Sequence, residues 1–279
     1  MEDDLLRLGT CAFTAAGWRG TFYPRALKSA DYLSHYSRHF DTVEIDSTFY
    51  GVPSAATTRN WYAQTPKGFL FAAKTPQTIT HERCMVDCDE QLKEFLSAME
   101  PLGEKLGPLL FQFPYYGSQT FKSGDEFTVL LSPFVKKLPA GYEFAVEIRN
   151  RSWIGPKLLD VLRERSVALA LIDYPWMPRP LELLDRVDPV TSDFVYIRWL
   201  GDRKGIEEIT KTWGRTVVDR RRELEEWVEA CRRFAKRSIR VFGYANNHYA
   251  GNGPSTVRLI WELWGGKPRE VPSQYPLGF

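Results

Sequence analysis

The sequence predicts a (β/α)8 barrel, and three observations carry that prediction. Short apolar runs ending on a charged or amide residue recur eight times, and helix-like stretches follow them. The chain has 279 residues and is 43% apolar, which suits one large unit, since such barrels commonly run to about 250 residues.

The first strand is read at Leu6–Arg7–Leu8–Gly9–Thr10, the second at Val43–Glu44–Ile45–Asp46 and the third at Phe71–Ala72–Ala73–Lys74. Next come Leu110–Phe111–Gln112–Phe113, Ala145–Val146–Glu147–Ile148–Arg149 and Leu169–Ala170–Leu171–Ile172–Asp173. Tyr196–Ile197–Arg198 and Phe242–Gly243–Tyr244–Ala245–Asn246 complete the set. The clearest outer helix spans 217–234, where Val217, Leu224, Trp227, Val228, Cys231 and Phe234 recur at three- and four-residue steps. Arginines on its other face alternate with Glu225 and Glu226, the pattern of a solvated, ion-paired face and not of a nucleic-acid stripe. Loops are punctuated at 60–68, 114–124 and 174–180 by Pro, Gly, Ser and Tyr.

No repeat period, low-complexity tract or linker divides the chain, so residues 1–279 are read as a single domain. A net charge of +2 gives no general pull toward nucleic acid. No apolar run approaches the roughly 18 residues that span a bilayer, and the start, Met1–Glu2–Asp3–Asp4, is acidic where a secretory signal is basic and then apolar. The expected compartment is the cytoplasm, without membrane association. Four scattered cysteines fit a reducing environment. His81, Cys84 and Cys88 lack a fourth ligand and are read as loop residues, not as a metal site.

Strand side chains alternate, so Val43 and Ile45 facing the helices turn Glu44 and Asp46 inward, and Val146 and Ile148 do the same for Glu147 and Arg149. The same rule turns Lys74, Gln112, Asp173, Tyr196, Arg198, Tyr244 and Asn246 toward the axis. Four carboxylates and three cations would then meet at the C-terminal end of the barrel, where active sites of this fold lie. Unpaired buried charge is costly, so these groups either pair or face a wet pocket. Pairing alone, as a network that only closes the barrel, is the structural alternative. Gly201–Gly205 and the segment Asn246 to Thr256, with Asn247 and His248, hold glycines ahead of helix starts and are read as an anion cradle or as plain turns. Aromatics gather at the same mouth: Trp18, Phe22, Tyr23, Phe49, Tyr50, Tyr115, Tyr116, Trp153, Tyr174, Trp176 and Tyr249. Two or three of them are expected to stack on a ligand.

Taken together, these segments resemble the YecE-like family, a domain of unknown function with a TIM-barrel fold. The resemblance rests on Gly9–Thr10 with Trp18 to Pro24, on Val43 to Tyr50, and on Lys74 through Ile79–Thr80–His81. It continues through Phe111 to Pro114, Val146 to Arg149 with Ser152–Trp153, Asp173, Tyr196 to Arg198 with Gly201, and Asn246–Asn247–His248. It implies the barrel and no activity. The chain departs from the family pattern at Asp46, where asparagine is common, and at Leu200, where the seventh strand usually ends in histidine.

The expected function is an enzyme acting on an anionic sugar- or nucleotide-like ligand, such as a phosphosugar or nucleotide. Glu147 would transfer protons, Asp173 or Glu44 would orient it, and Lys74, Arg149 and Arg198 would hold developing negative charge. Gln112, Asn246, Asn247, His248, His81, Tyr50, Trp153, Tyr244 and Asp46 would contact the ligand. The cofactor expectation is none, with Mg²⁺ on Glu44, Asp46 or Asp173 as the one metal arrangement the residues allow. A multi-zinc nuclease is excluded by histidine supply: of four, His35 and His39 sit on the first helix. The alternative function is a non-catalytic binder of single-stranded nucleic acid or a nucleotide through the aromatic mouth with Arg198, Arg203 and Lys204.

Overall fold

Parallel strands buried on both faces need helices to cover them, and a strand–helix unit repeated eight times meets that need by closing on itself. The computed structural model, which describes residues 5–266, shows this arrangement. Its strands are β1 (Leu6–Thr10), β2 (Thr42–Ile45), β3 (Leu70–Lys74), β4 (Leu106–Gln112), β5 (Phe144–Glu147), β6 (Ala168–Asp173), β7 (Phe194–Trp199) and β8 (Arg240–Ala245). The helices are α1 (Tyr32–Tyr36), α2 (Ala55–Gln64), α3 (Asp89–Met99), α4 (Gly124–Lys137), α5 (Pro156–Glu164), α6 (Pro180–Arg186), α7 (Arg203–Ile209), α8 (Arg221–Lys236), α9 (Asn247–Ala250) and α10 (Gly253–Trp264). All ladders are parallel, in the order β1-β8-β7-β6-β5-β4-β3-β2. Among the described residues no helix is long and apolar enough to cross a membrane.

The circle is completed at the β1/β2 seam without a ladder. Tyr36, just ahead of β2, bridges it instead: its hydroxyl accepts from Thr10 N at 2.8 Å and lies 3.2 Å from Thr42 O. Gly9 permits the approach, because a Cβ there would sit 2.0 Å from Thr42 O.

The barrel interior is filled asymmetrically. Ala72, Ala145, Ala168 and Ala170 leave room on β3, β5 and β6 for Phe194, Tyr196, Phe242 and Tyr244 from β7 and β8. Large rings opposite small side chains give the interdigitation a close-packed interior requires. Tyr244 points inward as expected, but its hydroxyl pairs with Thr42 Oγ1 at 2.9 Å in this lower layer. The outer helix predicted from residue 217 begins at Arg221, because Val217 and Val218 donate their N–H groups to Ala250 O instead of entering the helix.

One consequence concerns acid. His35 and His39 face each other with Nε2 atoms 3.2 Å apart, and Phe22 packs against both rings. Burial, with Arg38 and Arg258 nearby, lowers His35, and burial and His35 lower His39 to about 4. His81 is likewise lowered to about 4 by burial, Lys74 and Arg149, and burial lowers His248. Each imidazole is therefore neutral in the fold yet takes a proton near pH 6.5 once unfolded. The unfolded state binds more protons in that window, so stability is full above about pH 6.5 and falls as pH drops toward about 4. Urea midpoints measured from pH 7.5 to 5 should decline, and less so in His39→Gln. A flat profile would contradict these burials.

Candidate active site at the barrel mouth

Arg198 is the centre of the charged layer. It is 2% exposed on β7, and its fork spans the barrel: one terminal nitrogen donates to Glu147 Oε2 at 2.7 Å, the other to Glu44 Oε1 at 2.8 Å. The Tyr196 hydroxyl donates to the second Glu44 oxygen at 2.6 Å, and Arg149 Nε donates to the second Glu147 oxygen at 3.0 Å. All four carboxylate oxygens are thereby satisfied. Burial opposes charge on Arg198, but Glu44 and Glu147 outweigh it and raise its pKa well above the usual arginine value. Burial would raise the Glu147 carboxyl, and Arg198, Arg149 and Lys74 reverse that, holding it below the usual carboxylate range. Glu147 is ionised at neutral pH, 0% exposed, and each of its oxygens already accepts a hydrogen bond, so it presents no surface to a ligand. The paired network that sequence reasoning offered as the structural alternative describes this floor.

A second pair lies above it. Lys74, at the end of β3, places Nζ 3.3 Å from Asp46 Oδ1 and 3.6 Å from the centre of the Phe49 ring. Asp46 begins the turn after β2, and its side chain is 33% exposed. Its Oδ1 is buried and accepts no hydrogen bond among the described residues. Asp46 lines a cleft of about 300 Å³ with Thr10, Cys11, Ser47, Tyr50, Asn246 and His248. Burial lowers the Lys74 pKa, with Asp46 opposing and Arg198 adding to the fall. The arrangement offers an accessible carboxylate, a lysine beside it and, beneath both, a buried ion-paired base in which Arg198 Nε alone of that guanidinium's nitrogens lacks a partner among the described residues.

Several expected site residues stand elsewhere. Asp173 was expected inward; it instead pairs in register with Trp199, while its neighbour Ile172 pairs with Arg198, so Asp173 faces the helices. There it takes Arg179 at 3.1 Å, Trp227 Nε1 at 2.6 Å and the Tyr249 hydroxyl at 2.9 Å, and so fastens α8 and α9 to the barrel. Leu169 to Ile172 are all apolar, so alternation had no phase to fix and placed Asp173 on the wrong face. Three carboxylates and three cations, not four and three, form the layer. Glu44 and Asp173 are both committed to other partners, and among the described residues no three His, Cys, Asp or Glu side chains converge as metal ligands.

The eighth loop is built of turns. Gly253 N donates to Asn247 Oδ1 and Ser255 N to Asn252 Oδ1, so the backbone donors an anion would use are taken. Asn247 Oδ1 also accepts from Trp18 Nε1, and Asn246 Oδ1 accepts from His248 N and contacts His248 Nδ1. His248 Nε2 meets Glu207 at 2.9 Å. At the seventh loop, a Cβ on Gly201 would lie 2.6 Å from His248 O, so the two loops meet in close backbone contact there. Gln112 Nε2 donates to Phe113 O, and Trp153 stacks among Tyr116 and Phe127 in the loop layer. His81 Nδ1 pairs with Thr80 Oγ1 at 2.8 Å and its ring meets the Phe49 ring edge-on.

Of the mouth aromatics, Tyr50, Tyr115 and Trp176 are exposed, and most of the others pack the loops. Cys11 escaped sequence reasoning. It is buried in the cleft wall beside Glu44, and burial followed by Glu44 pushes its thiol well up, so it stays protonated. Its place directly after the first strand was the available signal.

The family described as Protein of unknown function DUF72 matches residues 7–277. The UPF0759 protein YecE of Escherichia coli K12 is 35% identical over 118 residues, 42% of this chain and 41% of that protein. That match spans about two fifths of the relative's length. The UPF0759 protein YunF of Bacillus subtilis 168 is 27% identical, over 88% of this chain and 92% of that protein. A crystal structure of a DUF72 family protein from Thermotoga maritima superposes with a TM-score of 0.72 at 26% identity, over 92% of this chain and 97% of the other.

Proposed function

This chain belongs to the DUF72 family, whose name assigns no reaction, and we propose from the site that it is an enzyme working by acid–base chemistry at the barrel mouth. One observation carries the reading: Asp46, an accessible carboxylate lining a cleft, has a buried oxygen with no hydrogen bond and a lysine 3.3 Å away. Each oxygen of the fully buried Glu44 and Glu147 accepts a hydrogen bond, whereas the partly exposed Asp46 keeps an oxygen that accepts none. Asp46 takes over the proton-transfer role expected of Glu147, and Lys74 and Arg149 hold negative charge that develops on the ligand. Glu44, Glu147 and Arg198 are positioning residues that fix this geometry from below. The ligand class in this reading is a small hydroxylated anion, such as a phosphosugar or nucleotide. Arg149 is its first contact, since Nε is used on Glu147 and its two terminal nitrogens donate no hydrogen bond among the described residues.

A thermal-shift screen of phosphosugars, nucleotides and short single strands tests this, because a specific ligand raises Tm with its occupancy. At least one small anion should shift the wild type, and Asp46→Asn, which keeps the shape and removes the charge, should change that shift. Identical shifts in both proteins would remove Asp46 from the site.

A second reading has its own observation. Arg149 sits over the Tyr174 ring at 5.3 Å, Tyr174 packs edge-on to Trp176 at 4.2 Å, and exposed Tyr50 and Tyr115 extend the rim. Alternating rings and guanidinium groups suit a single strand held by stacking and phosphate contacts. Binding of that kind weakens steeply with salt; a salt-insensitive complex counts against it.

A further inference from the structure

We propose that Lys74 is a covalent nucleophile that condenses with the carbonyl carbon of a small aldehyde or ketone bearing an anionic group. The inference rests on the acid–base reading of the same site and names its substrate class.

Two buried lysines in this chain show the difference between a structural amine and an available one. Lys105 Nζ donates to Tyr62 O and Thr65 O at 2.7 Å and lies 3.2 Å from Thr65 Oγ1, which fills its three donors. Lys74 Nζ donates no hydrogen bond among the described residues. It has one ion pair, to Asp46, and the face of Phe49, while its side chain keeps 8% exposure at the end of a barrel strand. With no donor filled, the ammonium has only that ion pair and the Phe49 face to offset its burial. Burial and the nearby Arg198 both favour the neutral amine, against Asp46, Glu147 and Glu44. A desolvated lysine beside another cation is the setting in which the amine becomes a nucleophile at neutral pH.

The step balances within the site. The Lys74 ammonium gives a proton to Asp46, and the freed lone pair attacks the carbonyl carbon. A C–N bond forms while the C=O π pair becomes an alkoxide, which takes the proton released from nitrogen to give a carbinolamine. Asp46 then protonates the hydroxyl, the C–O bond breaks, water leaves and a protonated imine remains, with Asp46 again a carboxylate. The net change is ammonium plus carbonyl to iminium plus water. Arg149, with its terminal nitrogens unused, is placed to hold the phosphate or carboxylate of the substrate.

The wild-type protein at pH 7 is incubated separately with dihydroxyacetone phosphate, glyceraldehyde 3-phosphate and pyruvate, each with sodium cyanoborohydride, then digested and mapped by mass spectrometry. The expected result is a reduced adduct at Lys74 with at least one probe, formed faster than on exposed Lys93, and absent at this position in Lys74→Arg, which keeps the charge. Adducts on Lys93 and other surface lysines with none on Lys74, for all three probes, overturn the proposal. The two readings fail separately. A small anion whose thermal shift changes in Asp46→Asn, with Lys74 unlabelled, leaves the acid–base site standing and removes the imine.

Discussion

Arg198→Met should lose about 3–5 kcal/mol of unfolding free energy, the cost of leaving buried charge uncompensated. Glu44 and Glu147 are both 0% exposed, and each spends one oxygen on the Arg198 fork. Without the guanidinium, the Glu44 oxygen that faced it loses its only donor, and the two carboxylates repel across the barrel. Adding Glu44→Gln and Glu147→Gln to Arg198→Met removes both charges. That triple variant should recover most of the loss, because replacing a whole buried ion cluster costs far less than breaking it. Urea unfolding of the three proteins at pH 7 decides the matter. A single Arg198→Met as stable as the wild type would mean that the charges are not held as described. The same logic changes the meaning of Glu147→Gln alone: it strips charge from a carboxylate gripped by two arginines, so lost activity there would report a disturbed floor and not a missing proton donor.

Gly9→Ala should be comparably damaging for a different reason. The new methyl would lie 2.0 Å from Thr42 O and 2.8 Å from Thr42 C, both backbone atoms that no side-chain rotation moves aside. Either β1 or β2 must shift at the one place where no ladder holds them. Overpacking commonly costs about 1–3 kcal/mol, and a clash with backbone belongs at or above the top of that range. Tyr36→Phe probes the same seam more gently, leaving Thr10 N without its 2.8 Å acceptor at a cost of about 1–3 kcal/mol. If Gly9→Ala unfolds at the wild-type urea midpoint, the seam is not as tight as the geometry requires.

Much of this fold was legible because eight strand–helix units leave a strong pattern: apolar runs of strand length, each closed by a polar residue. Alternation placed Glu44, Glu147 and Arg198 on the inner side correctly, since each has apolar residues on both sides that fix its phase, and Lys74 at the end of the all-apolar β3 also faces inward. It failed at Asp173, where Leu169, Ala170, Leu171 and Ile172 are all apolar and give no phase; only the register with Trp199 settles it. It also left open whether glycine-rich turns cradle an anion. That depends on whether neighbouring amides fill the backbone donors, as Asn247 and Asn252 do. Which carboxylate stays available was likewise invisible, because Glu147 and Asp46 differ in their partners and not in their residue class. Arg149 and Arg198 each hydrogen-bond one oxygen of the buried first, whereas the partly exposed second has ion pairs with Lys74 at 3.3 Å and Arg198 at 3.7 Å and accepts no hydrogen bond on Oδ1.

The most direct test of the central claim is conversion. Wild-type protein and Asp46→Asn are each incubated with a panel of phosphosugars and nucleotides, and products are followed by mass spectrometry, with circular dichroism showing that both are folded. The account predicts that the wild type converts at least one compound and that folded Asp46→Asn loses that conversion. Conversion at an undiminished rate by Asp46→Asn, or ligand binding across the panel with no compound converted, would contradict it.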